Sequence, residues 1–112
     1  MHELGITRNI VAIVGEAARG RAVLNVTLEV GKLSGVMKEA IAFCFDTVAQ
    51  GTPLQGARLD IREIEGRARC LDCAAEFATP TLFTPCACGS RRLLRLAGEE
   101  LNIKTMQLEE AA

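Results

Sequence analysis

Apolar residues recur at three- and four-residue spacing near the start of the chain, at Ile6, Ile10, Ile13, Val14 and Ala17. That period predicts an amphipathic helix over about Glu3 to Arg19, with Arg19 and Gly20 as a basic last turn and a stop. The period then falls to two. In AVLNVTLEVG, Leu24, Val26, Leu28 and Val30 alternate with Asn25, Thr27 and Glu29, the pattern of a strand with one buried face. GKLSGV reads as a loop. The longer period returns in MKEAIAFCFDTVAQG, whose buried stripe is Met37, Ile41, Cys44, Phe45 and Val48, so Cys44 is read as core. Gly51 and Pro53 end this second helix. ARLDIREIE gives a strand through Leu59 and Ile61, with Ile64 out of phase. The closing LNIKTMQLEE passes from Leu101 and Ile103 to Met106 and Leu108, a change of phase that predicts a bulge.

Between those two strands the pattern breaks. The stretch from Gly66 to Gly98 carries four of the five cysteines, two of the three prolines and little periodic apolar signal. The expected architecture is therefore α+β. A small mixed sheet packed with two helices uses residues 1–65 and 99–112, and residues 66–98 form a separate domain inserted between two strands.

The insert contains Cys70-Leu-Asp-Cys73, twelve further residues, then Cys86-Ala-Cys88-Gly89. Two close pairs joined by a short loop suit a tetrahedral zinc ion. Some 33 residues cannot bury enough surface to hold themselves together, and structural zinc contributes roughly 10–16 kcal/mol in small modules at neutral pH. With one histidine in the chain, at position 2, the expected ligands are the four thiolates of Cys70, Cys73, Cys86 and Cys88. The second pair is one residue shorter than the usual knuckle. Tetrahedral sulfurs sit roughly 3.8 Å apart around zinc, whereas alternate Cα atoms of an extended strand are about 6.6 Å apart. The backbone must bend, Gly89 is placed to allow it, and some strain is expected.

Composition narrows the function. Apolar content of 49% supports a packed core, and 13 basic against 14 acidic residues lack the excess positive charge of a general nucleic-acid binder. No apolar run approaches a membrane span, and MHELGITRN has neither part of a secretory signal, so a cytoplasmic location is expected. There, cysteines serve as thiols or metal ligands rather than disulfides. Arg67, Arg69, Arg91, Arg92 and Arg95 flank the cysteines, with Asp72 and Glu76 as local counter-charges. They read as a solvated surface or as a docking face, for an acidic protein before nucleic acid.

Several segments together resemble the HypA/HybF family of nickel-insertion accessory proteins for [NiFe]-hydrogenase. These are MHE at the start, VGKLSGV, EAIAFCFDTVAQGT, GARLDI, CLDC with CGS, and LNIKTMQLE. The resemblance implies a nickel-binding α/β domain and a separate zinc domain. It implies a protein that passes Ni²⁺ to the hydrogenase large subunit with a HypB-type GTPase as partner. On the matching positions, His2 becomes the nickel ligand with Glu3 adjoining, and Cys70, Cys73 and Cys88 become zinc ligands. Cys86 departs from the pattern. The family writes Cys-Pro-x-Cys-Gly where this chain has Pro85-Cys86-Ala87-Cys88-Gly89, and Cys86 is still read as the fourth ligand.

Taken alone, a histidine beside a chain end is an ordinary solvated residue, and an acid at Glu3 serves the dipole of a helix's first turn. The implied role has a chemical basis, however. The Met1 amine and the His2 amide nitrogen close a five-membered ring on a metal, and the amide and Nδ1 of His2 close a six-membered one. Three nitrogens in a plane suit Ni²⁺. Free amines and imidazoles titrate near 8 and 6.5, so protons compete with the metal, and release is expected as pH falls toward about 6. The fourth donor stays open among the Glu3 amide or carboxylate, water and a partner's group.

Two function classes remain: a non-catalytic nickel carrier with structural zinc, and a zinc-ribbon module for protein or nucleic acid in which His2 is idle. The second predicts salt-dependent RNA or DNA affinity through the arginines and indifference to a residue added ahead of Met1. A homodimer is compatible with either. Enzymatic function is not expected, because one terminal histidine allows no catalytic set and no glycine-rich phosphate loop occurs.

Overall fold

The computed structural model describes residues 2–110. Its elements run α1 (Glu3–Ala17), β1 (Val23–Gly31), α2 (Lys38–Ala49), β2 (Arg58–Ile64), β3 (Arg67–Cys70), β4 (Glu76–Ala78), β5 (Leu93–Ala97) and β6 (Leu101–Leu108). They build two three-stranded sheets, in the orders β2-β1-β6 and β4-β3-β5. The class is α+β, two helices with small sheets, as the periodicity predicts.

The chain divides into two compact units. The first comprises Met1–Leu28, Met37–Arg62 and Asn102–Ala112, and the second Glu29–Val36 and Glu63–Leu101. In the first unit α1 packs on α2. The buried stripe of α1 is Thr7, Ile10, Val11 and Val14, continued by Ala18. This corrects the expected face: Ile13 is 57% exposed and Ala17 is exposed, so the true stripe is rotated, with Thr7 in it. Thr7 tolerates full burial because its hydroxyl donates to the Glu3 carbonyl at 2.7 Å. Arg19 lies beyond the helix, in a left-handed turn with Gly20, rather than in a basic last turn.

On α2 the buried residues are Ile41, Phe45 and Ala49. Cys44 and Val48 are half-buried, and Met37 is 62% exposed because it is the N-cap rather than a helical residue. Along β1, Val26, Leu28 and Val30 are buried as expected, but Leu24 is exposed and Val23 takes its place in the core. On β6 the half-buried positions are Ile103, Met106 and Leu108, as the change of phase predicts, but Leu101, expected on the same face as Ile103, is exposed.

The second unit contains a sheet that the sequence pattern does not announce. Strand β3 pairs antiparallel with β4 through Arg67↔Ala78, Ala68↔Phe77 and Arg69↔Glu76. It pairs antiparallel with β5 through Ala68↔Arg95, Arg69↔Leu94 and Cys70↔Leu93, with an irregularity between Arg67 and Ala68. Ala68 and Cys70 point into this small core, and Arg67 and Arg69 point out. The unit also incorporates the VGKLSGV segment. Gly31 N–H donates to the Glu100 carbonyl, Lys32 N–H to Ile64 and Leu33 N–H to Gly98, at 2.7, 2.9 and 2.7 Å.

Candidate metal centres

Two turns bring the four insert cysteines together. In the first, Cys70 N–H donates to the Ala75 carbonyl at 2.8 Å and Ala74 N–H donates back to the Cys70 carbonyl at 2.9 Å. In the second, Cys86 N–H donates to the Ser90 carbonyl at 3.0 Å and Gly89 N–H donates to the Cys86 carbonyl at 2.8 Å. The second turn thus closes over one residue fewer, the consequence of C-x-C. Each turn reverses through a positive φ just after its second cysteine, at Ala74 (φ 64) and Gly89 (φ 89). The expected bend at Gly89 is present. The strain, however, falls on Ala74, where an L side chain occupies the left-handed region.

The sulfurs form a compact set, all four lying within 4.8 Å of one another. Cys70 Sγ is 3.7 Å from Cys88 Sγ, and Cys73 Sγ is 3.5 Å from Cys86 Sγ. Zn–S bonds of about 2.3 Å place tetrahedral sulfurs roughly 3.8 Å apart, so this donor set fits a four-thiolate zinc ion. Cys70 and Cys86 are buried, and Cys73 and Cys88 face outward. Cys86, the departure from the expected motif, sits with the other three.

The four thiols differ in acidity. The N–H of Cys73, 3.4 Å from Cys70 Sγ, heads the causes that draw the Cys70 thiol down to about 6. The N–H of Cys88 favours the Cys86 thiolate, but burial and the sulfurs of Cys73, Cys88 and Cys70 outweigh it and push Cys86 up to about 12. Cys70 is thus the sulfur readiest to meet a cation as a thiolate, while Cys86 gives up its proton only to one.

Outside the sulfurs, Asp72 ties the two turns together. Its carboxylate accepts from Ser90 Oγ and, at 2.9 Å, from Arg92 Nη1, while Arg92 N–H donates to Ser90 Oγ at 3.1 Å. Arg69 pairs with Glu76 at 3.5 Å. Both acids are counter-charges, as expected, but the bridging role of Asp72 needs three residues distant in sequence and was not readable from spacing.

At the other end of the chain, His2 is exposed and occupies the N-cap of α1. Its carbonyl accepts the Ile6 N–H at 3.1 Å, and its imidazole makes no capping bond. Met1 lies outside the described residues. Glu3 has a partner that sequence reading missed: its Oε2 accepts the backbone N–H of Met37 at 3.0 Å, joining the first turns of α1 and α2. That bond holds the Glu3 carboxyl below its ordinary value.

A small α+β chain with a cluster of four cysteines that could hold a metal ion, placed before its last strand, is the class that fold and site define. Residues 1–108 match the family model described as hydrogenase/urease nickel incorporation, metallochaperone, hypA, and the chain belongs to that family. A hydrogenase maturation factor HypA from Nostoc sp. is 54% identical over 110 residues, covering 98% of this chain and 97% of the relative. A solution structure of a HypA protein superposes with a TM-score of 0.72 at 23% identity, over 97% of both chains. That of the Ni metallochaperone HypA from Helicobacter pylori gives 0.67 at 21%, over 96% and 97%. These likenesses establish the shared fold. The family is one of maturation factors, and among the described residues no helix is long and apolar enough to cross a membrane.

Proposed function

We propose that this chain carries Ni²⁺ at its amino terminus and delivers it to the large subunit of a [NiFe]-hydrogenase. The Met1 amine, the His2 amide nitrogen and the His2 imidazole are the proposed donors. The observation that carries the reading is the state of His2: exposed, at the first turn of α1, with an imidazole not spent on capping the helix. Glu3 supports the site from behind, because its Met37 bond commits one carboxylate oxygen and steadies the chain next to His2.

Cys70, Cys73, Cys86 and Cys88 are the proposed zinc ligands, with residues 66–98 as the zinc domain and residues 1–65 and 99–112 as the nickel domain. Zinc bound there supplies cross-linking rather than chemistry, because four thiolates leave no open position. The chain has no nucleotide loop, so energy for transfer comes from a HypB-type GTPase. The reading places this work in the cytoplasm, where thiolates persist.

The test is a nickel titration of three untagged, zinc-loaded forms: native, His2→Ala, and native with an acetylated Met1. Each change should weaken binding by at least about tenfold. Equal affinity in all three overturns the proposal. Acetylation is preferable to adding a residue, since an extension would place the histidine third and create a different all-nitrogen chelate.

A further inference from the structure

The turn at Pro80–Phe83 belongs to the second unit and takes no part in either metal site. Its backbone is braced. Thr81 N–H donates to Thr84 Oγ1 and Phe83 N–H to Thr81 Oγ1, both at 3.2 Å, and the two hydroxyls are 3.0 Å apart. This fixed turn nevertheless holds its two largest apolar side chains out in water, Leu82 49% and Phe83 79% exposed. Beside them runs an open groove of about 470 Å³ walled by Lys32, Leu33, Pro80, Thr81, Leu82 and Phe83. A rigid turn that presents an aromatic ring beside an apolar groove has the form of a binding anchor.

Charge specifies the occupant. Residues 66–98 hold five arginines against Asp72 and Glu76, and both acids are engaged, by Arg92 and Arg69. Lys32, on the groove wall, is neutralised by Glu65 at 2.6 Å. Arg91 is different. Its Nη1 donates to the main-chain carbonyl of Phe83 at 3.3 Å, which places the guanidinium beside the backbone of this turn, and it has no carboxylate partner among the described residues. An exposed cation held next to an apolar groove attracts a carboxylate and repels basic segments. Nucleic acid fits less well: the chain has no Tyr or Trp, and Phe83 is the single ring of this turn.

We infer that this groove docks an acidic, apolar segment of a partner protein. An aliphatic or aromatic side chain of the segment lies against Leu33, Leu82 and Phe83, and a neighbouring carboxylate pairs with Arg91. VGKLSGV thereby acquires a second use, since Leu33 is part of the wall.

Selection of a random peptide library on the zinc-loaded full chain tests this, followed by titration of the selected peptides into native, Phe83→Ser and Arg91→Glu forms. Both side chains face solvent, so the variants keep their fold, which thermal unfolding verifies. Selected peptides should be rich in Asp and Glu beside Leu or Phe and should shift amide signals of residues 80–84 and 91. Each substitution should weaken them by about tenfold or more. The inference fails if selection yields no peptide, or yields basic or uncharged ones. It fails equally if binding ignores both substitutions, or if sedimentation shows Phe83 joining two copies of this chain.

Discussion

Gly31 and Gly98 meet backbone to backbone: a Cβ on Gly31 would lie 2.0 Å from the carbonyl oxygen of Gly98 and 2.6 Å from the amide nitrogen of Glu99. The obstructing atoms are main chain, fixed by the Leu33 N–H to Gly98 bond at 2.7 Å, so no rotamer change can make room. Gly31→Ala should therefore cost about 3 kcal/mol, the upper end for overpacking, in chemical denaturation. Gly15→Ala is the control. Its Cβ would sit 3.7 Å from Leu54 and Pro53 side chains, and the change should stabilise by about 0.5–1 kcal/mol through helix propensity.

Ala74 and Gly89 hold equivalent places, each just past the second cysteine of its pair and each with positive φ. The left-handed region costs an L residue roughly 1–2 kcal/mol. Ala74→Gly should recover about 1 kcal/mol and tighten zinc binding, while Gly89→Ala should weaken it by a similar amount. Competition with a coloured chelator measures both.

The Glu3–Met37 bond gives a pH dependence of definite sign. The folded-state pKa of Glu3 lies below its ordinary 4.5, with the Met37 N–H as the largest cause. Its stabilisation is therefore complete above the unfolded value and is lost as pH falls through the folded one. The protection of the Met37 amide, its exchange rate relative to that of an unstructured amide at the same pH, should hold at neutral pH and fall in acid. In Glu3→Gln, whose amide oxygen still accepts the bond, the acid dependence should disappear.

Removing the metal should act on one unit. Chelation leaves four crowded thiols, Cys70 near 6 and Cys86 near 12, in place of a cross-link. Amide signals from β3, β4 and β5 should collapse, whereas those of α1 and α2 should persist, since Ile10, Val14, Ile41 and Phe45 pack without metal. Cys86→Ser should behave as partial removal.

Much of the fold could be read from hydrophobic periodicity, because a helix or strand that buries one face must repeat. The ends of α1 and α2 fall within two residues of expectation, β1 holds its phase from Val26 to Val30 and β6 from Ile103 to Leu108, while Leu24 and Leu101 are exposed. Errors came where a residue's role was not set by period. Thr7 enters the core by satisfying its own hydroxyl, and Met37 leaves it by becoming a cap. The β3–β5 sheet escaped notice because its inward residues are as small as Ala68 or are cysteines counted as ligands. The cysteine set itself was readable from spacing alone. Glu3's bond to Met37 and Asp72's bridge to Arg92 join residues 34 and 20 positions apart, and no local pattern encodes such pairs.

The most direct measurement follows amide signals of the zinc-loaded, untagged chain as one equivalent of Ni²⁺ is added. Changes should be confined to the first turn of α1 and its Met37 contact, leave residues 70–90 untouched, and vanish when Met1 is acetylated. Changes centred on Cys70, Cys73, Cys86 and Cys88, or identical changes in the acetylated chain, would contradict nickel binding at the amino terminus.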